Sequence, residues 1–230
     1  MKSQITTLTF LLVITLFSCN QKSQFTDFKY ADKPATITCE GVNLKLLNEA
    51  LYSFEDDIAN HYNKGTGAPR LDQAYSQIIR NSIYGKLKIE DIASRHTVAV
   101  FEALKKEKDL WDANNPNSHL NYKSKVISCI SNAIKDTSLK TTLNALISTN
   151  SMSPKLFVPA LVSKYRTALN DKNLAMYIAL DLYYAKMFDI DFSKVNLDKL
   201  EQKVDFNSVP AIEKPTTAKP DVDPHAGHNH

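Results

Sequence analysis

Glycine is scarce. Only Gly41, Gly65, Gly67, Gly85 and Gly227 occur in 230 residues. That is too few for the turns of a sheet-rich domain or for a loop that cradles phosphate. No strand set of alternating apolar and polar residues stands out, and no fixed-period repeat. Three catalytic patterns are missing as well: Gly-x-Ser-x-Gly, Cys-x-x-Cys-His and His-Glu-x-x-His. Their absence leaves an enzyme open but nominates no nucleophile. The chain also lacks a strong charge of one sign. The formal net charge is +3, falling to about +2 without Lys2. This argues against a strongly basic nucleic-acid binder and gives no hint of an acidic substrate. The single long apolar run is N-terminal, and it falls short of the roughly 20 residues a spanning helix needs.

That run has the layout of an export signal. Lys2 provides the positive start, Ile5 to Phe17 is uncharged and rich in Leu, Ile, Val and Phe, and Ser18 is the small residue before a cleavage site. The residue after the cut is Cys19. Leu16-Phe17-Ser18-Cys19 resembles the lipobox of bacterial lipoproteins, with Phe17 bulkier than the usual choice. The resemblance covers only the first 19 residues. It implies that Cys19 carries diacylglycerol through a thioether and is then N-acylated. One acyl chain binds membranes reversibly, whereas two or three hold permanently. The composition and the motif together resemble lipoproteins of Bacteroidota. In some of these an acidic cluster after the cysteine directs export to the outer face. Residues 20–24 contain no acid, so the resemblance implies an outer-membrane anchor facing the periplasm. An ordinary secretory signal with an incidental Cys19 is the plainer alternative. The body of the chain resembles no characterised family.

Cleavage after Ser18 leaves 212 of the 230 residues, enough for one real core. The expected organisation is a signal peptide at 1–18, a polar tether at 19–40, an all-helical domain at 41–206 and a disordered tail at 207–230. Pro210, Pro215, Pro220 and Pro224 are four of the nine prolines, which is what assigns the tail. The expected fold is all-α, a single helical bundle or array of seven or eight helices.

The helices follow from apolar periodicity. Leu44, Leu47, Leu51, Phe54 and Ile58 form one stripe behind a cap at Asn43. Leu71, Tyr75, Ile78, Ile79 and Ile83 form a second, ending near Gly85. The third is expected to start with Glu90 and Asp91 and to end with Lys105, Lys106 and Lys108, a charge order that suits the helix dipole. Its stripe includes His96. A loop spans 112–118. Val126, Cys129, Ile130 and Ile134 mark the next helix and put Cys129 on its core face. Leu139, Leu143, Leu146 and Ile147 mark another. Ser153-Pro154 reads as a helix start, with Pro159 either kinking that helix or restarting it. Residues 172–188, capped by Asp171, are apolar nearly all round, the mark of a helix surrounded by others. A last amphipathic helix would use Leu197, Leu200 and Val204.

Candidates for chemistry are few. Cys39 and Cys129 could pair in an oxidising compartment or could be two separate buried thiols, and spacing alone does not decide. His225, His228 and His230, with Asp223, could bind Cu, Ni or Zn weakly and without selectivity; the alternative is a solvated terminus. Asp57 and His61 share a face, but no Glu-x-x-His partner accompanies them. His96 and the lone acid Asp181 of the apolar helix could mark a pocket, though core hydrogen bonding is the default reading. Tyr177, Tyr183, Tyr184 and Phe188 read as core packing before they read as a ligand groove. The leading function is a non-enzymatic binding or scaffold module of the cell envelope without a bound cofactor. Its partners are the membrane, through the lipid, and an envelope protein; no nucleic acid is expected. A periplasmic metal-handling protein using the histidine tail comes second, and an unrecognised envelope enzyme third.

Overall fold

The computed structural model describes residues 25–63 and 67–198. The signal segment, Cys19, Leu200, Val204 and the histidine tail lie outside the described residues. Within them the fold is all-helical, and the only β pairing is one isolated bridge between Trp111 and Leu120. Eight helices occur in order: α1 Leu44–Tyr62, α2 Leu71–Ile83, α3 Arg95–Leu104, α4 Lys125–Ala133, α5 Thr137–Ser148, α6 Pro154–Val162, α7 Thr167–Asn170 and α8. The last opens at Lys172–Ile178, passes through a π-helical turn at Ala179–Tyr184 and closes at Ala185–Met187. Among the described residues no helix is long and apolar enough to cross a membrane.

Helix α8 is the centre, as its lack of a polar face requires. Every residue from Leu174 to Ala185 is buried, and α1, α2 and α4 pack around it. The π turn closes on a bond from the Ala185 amide to the Leu180 carbonyl, five residues back. Such turns are rare and rearrange the side chains around them. Here the buried phenols near it all find acceptors: Tyr177 Oη donates to Asp181 at 2.6 Å, Tyr183 Oη to Asp57 at 2.7 Å and Tyr184 Oη to the Ala50 carbonyl at 3.0 Å. A buried phenol without a partner would be costly.

Two sequence expectations are corrected, and one open alternative is decided. The tether does not extend to residue 40. Residues 26–40 lie against α1, with Ile37 and Cys39 buried, the Lys29 and Tyr30 amides donating to Glu49, and the Thr36 amide donating to Asn48. This stretch lacks helical period because it is a strap without secondary structure, held by hydrogen bonds that cross from it to α1. Helix α3 does not begin at Glu90. Residues Ile89–Asp91 form a separate 3-10 turn, and Ser94 caps α3 by accepting the Thr97 amide at 3.2 Å. The hydroxyl cap outweighs the acidic pair because it satisfies an otherwise orphaned amide directly. Pro159 does not restart α6, which runs unbroken from Pro154 to Val162. Its missing amide is tolerated within a helix of 9 residues, where tertiary packing of Phe157, Val158 and Leu161 supplies most of the stability.

Candidate functional site

The buried acids come from two helices, α1 and α8, and each is met by donors. On α1, Glu49, Ser53 and Asp57 follow at a spacing of four and all are buried. Glu49 accepts the two strap amides and His96 Nε2 at 2.7 Å. Ser53 and Thr97 share a hydrogen bond of 2.5 Å. Asp57 accepts the Ser94 amide at 3.0 Å and the Tyr183 hydroxyl. Glu55, also buried, takes Tyr75 Oη at 2.9 Å and Lys172 Nζ at 2.6 Å. These bonds join α1 to the strap, α2, α3 and α8.

Asp181 is fully buried and takes three hydroxyl hydrogens. Tyr177 donates to Oδ2, while Ser118 at 2.7 Å and Tyr122 at 3.0 Å donate to Oδ1. The last two come from the loop between α3 and α4, so Asp181 pins that loop to the central helix. Burial pushes the carboxyls of Asp181 and Asp57 above their ordinary range, and the donated hydrogen bonds oppose that rise only in part. The phenols of Tyr177 and Tyr183 are driven well above theirs, first by burial and then by the neighbouring acid.

His96 and Asp181 do not share a site. His96 sits between Glu49 and Asp27, 3.5 Å from the latter, with Phe25 and Tyr30 against its ring. Neither residue lines any of the three clefts described below. Asp57 and His61 part ways too: the acid is buried and His61 is exposed, its ring against Tyr62. Tyr177, Tyr183 and Tyr184 are core, and Phe188 packs beneath Phe101, Trp111 and His119. Cys39 and Cys129 form a disulfide with Cα atoms 5.9 Å apart. Among the described residues no group of three metal-ligating side chains occurs. His225, His228, His230 and Asp223 lie outside the described residues, as does Cys19.

A cleft of about 300 Å³ opens between the start of α1, the turn after α3 and the start of α4. Its floor is aliphatic: Leu46, Leu47, Leu104, Leu110 and Val126. Asn43, Glu107, Asp109 and Lys125 stand among its lining. Its walls are tied to one another in three ways. Cys39–Cys129 joins the strap to α4, Asn43 Nδ2 donates to Glu107 Oε1 at 3.1 Å, and the Lys125 amide donates to Asp109 Oδ2 at 2.9 Å. Gly41, at φ +68°, turns the chain from Cys39 into the Asn43 cap of α1. That left-handed conformation favours glycine. Asn43 serves twice, since its Oδ1 accepts the Leu46 amide at 3.2 Å. Two clefts of similar volume flank Ile190 at the far end of α8, one holding Phe101, Phe188 and Phe192, the other Leu87 and Ile89.

Sequence reasoning pointed to His96 and Asp181 as hydrogen-bonded core residues but missed Glu49, Glu55 and this cleft. Glu49, Ser53 and Asp57 do carry a signal, a polar line at helical spacing beside the apolar stripe, but it reads equally well as a solvated edge. Compared with family models, with curated proteins and with solved structures, the chain matches none.

Proposed function

We propose that the mature chain is a lipid-anchored binding or scaffold module of the bacterial cell envelope, with no chemistry of its own. The observation that carries this reading is the division of labour among polar groups. The buried acids Glu49, Glu55, Asp57 and Asp181 each hold helices, strap or loop together through donated hydrogen bonds. The cleft between α1, α3 and α4 offers an aliphatic floor with a few polar groups around it, the usual make-up of a binding site. The disulfide itself suits an oxidising compartment outside the cytosol. The strap begins to pack at Phe25, a few residues after Cys19, so the anchor would hold the body close to the membrane surface.

The binding reading is tested by mild cross-linking of intact envelope followed by capture of this chain. A reproducible partner is expected, and repeated recovery of the chain alone would sink the proposal. The anchor is tested separately. Full-length chain should fractionate with membranes, and Cys19→Ala should release it and remove the mass of the lipid from the intact protein. Unchanged membrane association of the variant would overturn the lipoprotein reading.

A further inference from the structure

The cleft between α1, α3 and α4 carries more than a general capacity to bind. Its five aliphatic residues belong to the floor of a space of about 300 Å³ that the core does not fill. The space opens to solvent, and what sets it apart from the two clefts near Ile190 is that its lining elements are tied to one another. The Asn43–Glu107 bond ties α1 to the turn after α3, the Asp109–Lys125 bond ties that turn to α4, and the disulfide ties the strap to α4. A site organised before binding loses less entropy on binding.

The polar lining selects the ligand's head. Glu107 uses Oε1 for Asn43, and Asp109 uses Oδ2 for the Lys125 amide. The second oxygen of each has no hydrogen-bond partner among the described residues. An anion is disfavoured, because its natural seat is taken. At the start of α4 the Asp109 carboxylate accepts the Lys125 amide, and Ser124 Oγ accepts the Ile127 amide at 3.1 Å. Lys125 is the one basic side chain in the lining, against two carboxylates. The excess is therefore acidic, over an aliphatic floor.

We propose that this cleft binds a small amphiphilic cation, with an apolar body on Leu46, Leu47, Leu104, Leu110 and Val126 and a primary ammonium head at Glu107 and Asp109. The assignment rests on the binding-module reading and gives it a ligand class. Charge-assisted hydrogen bonds to the two carboxylates orient the head, while burial of the aliphatic body supplies affinity in proportion to its area.

The test uses the full chain in detergent, titrated calorimetrically with n-hexylammonium, hexanoate and hexanol, with empty micelles subtracted. Hexylammonium should bind at least tenfold more tightly than hexanoate or hexanol. The double variant Glu107→Gln, Asp109→Asn keeps an acceptor for Asn43 and for the Lys125 amide. It should therefore stay folded, as its thermal melt will show, and lose that tenfold preference. Equal binding of all three probes, or a preference that survives in the folded double variant, overturns the cationic head. Binding of none overturns the cleft as a ligand site. A partner still captured from envelope in that case shows that the module reading stands while this one falls; loss of both shows that the two fall together.

Discussion

Replacing Cys39 and Cys129 together by Ala will lower the stability of the protein by about 2–4 kcal/mol. The two cysteines are 90 residues apart in sequence, so the bridge closes a large ring and removes much of the freedom of the unfolded chain. The loop-entropy model places a ring of that size at roughly 4–5 kcal/mol, and measured values run lower because real unfolded chains keep some structure. The folded side changes less. Ile37 remains in the core and the Thr36 amide still bonds Asn48, so the strap keeps other holds on α1. For a domain of this size about 3 kcal/mol corresponds to a fall in Tm of roughly 6–12 °C. Urea unfolding should show a lower midpoint, and a steeper slope as the unfolded state expands. Treating the wild type with reductant should reproduce the shift. A midpoint that is unmoved in both experiments would mean that the bridge does not constrain the unfolded chain in solution.

Asp181→Ala will cost about 3–5 kcal/mol, because it strands two buried hydroxyls and a half-buried one and opens a cavity beside them. Tyr177, Ser118 and Tyr122 all donate to this one carboxyl. The damage should spread to the loop between α3 and α4, which Ser118 and Tyr122 fasten to α8, and amide exchange should rise first at Ser118–Tyr122. Asp181→Asn preserves shape and one acceptor, so its cost should be smaller and should depend on pH. The sign follows from burial. The carboxyl's folded pKa lies above its unfolded one, so between the two values the folded state holds more protons than the unfolded state. Stability therefore falls as pH rises through that window, and the loss is complete above the folded pKa. Asn carries no such loss. The gap between wild type and Asp181→Asn should narrow as pH rises from the ordinary carboxylate range and be widest in acid. A gap independent of pH would show that the carboxyl does not change protonation on folding. Asp57 contributes in the same sense and remains in both proteins, so it cancels in the comparison.

Two readings illustrate what one-dimensional pattern can reach. The stripe from Leu44 to Ile58 specified α1 and its Asn43 cap because helix period and capping are local: they involve residues within four positions of each other. The absence of a polar face on 172–188 specified the central helix for the same reason, since a helix with apolar residues all round has nowhere to go but the interior. By contrast, Glu49 and Glu55 look like surface residues. Their burial is explained only by donors that arrive from elsewhere: Lys172 is 117 residues from Glu55, and His96 is 47 from Glu49. The same holds for Tyr183 and Asp57, 126 residues apart. The strap is not legible in the sequence because a segment with no internal period carries no local sign that another element will receive its amides.

The sequence by itself therefore determined the fold class, most helix positions, the buried helix and the motif at Leu16-Phe17-Ser18-Cys19, each of which is a property of neighbouring residues. Tertiary structure alone decided that Cys39 meets Cys129, that His96 and Asp181 hold separate parts of the core rather than one pocket, and that a cleft stays open between α1, α3 and α4. Those outcomes depend on which distant groups arrive within bonding distance. That is set by how the described helices pack together in three dimensions, and no spacing along the chain encodes it.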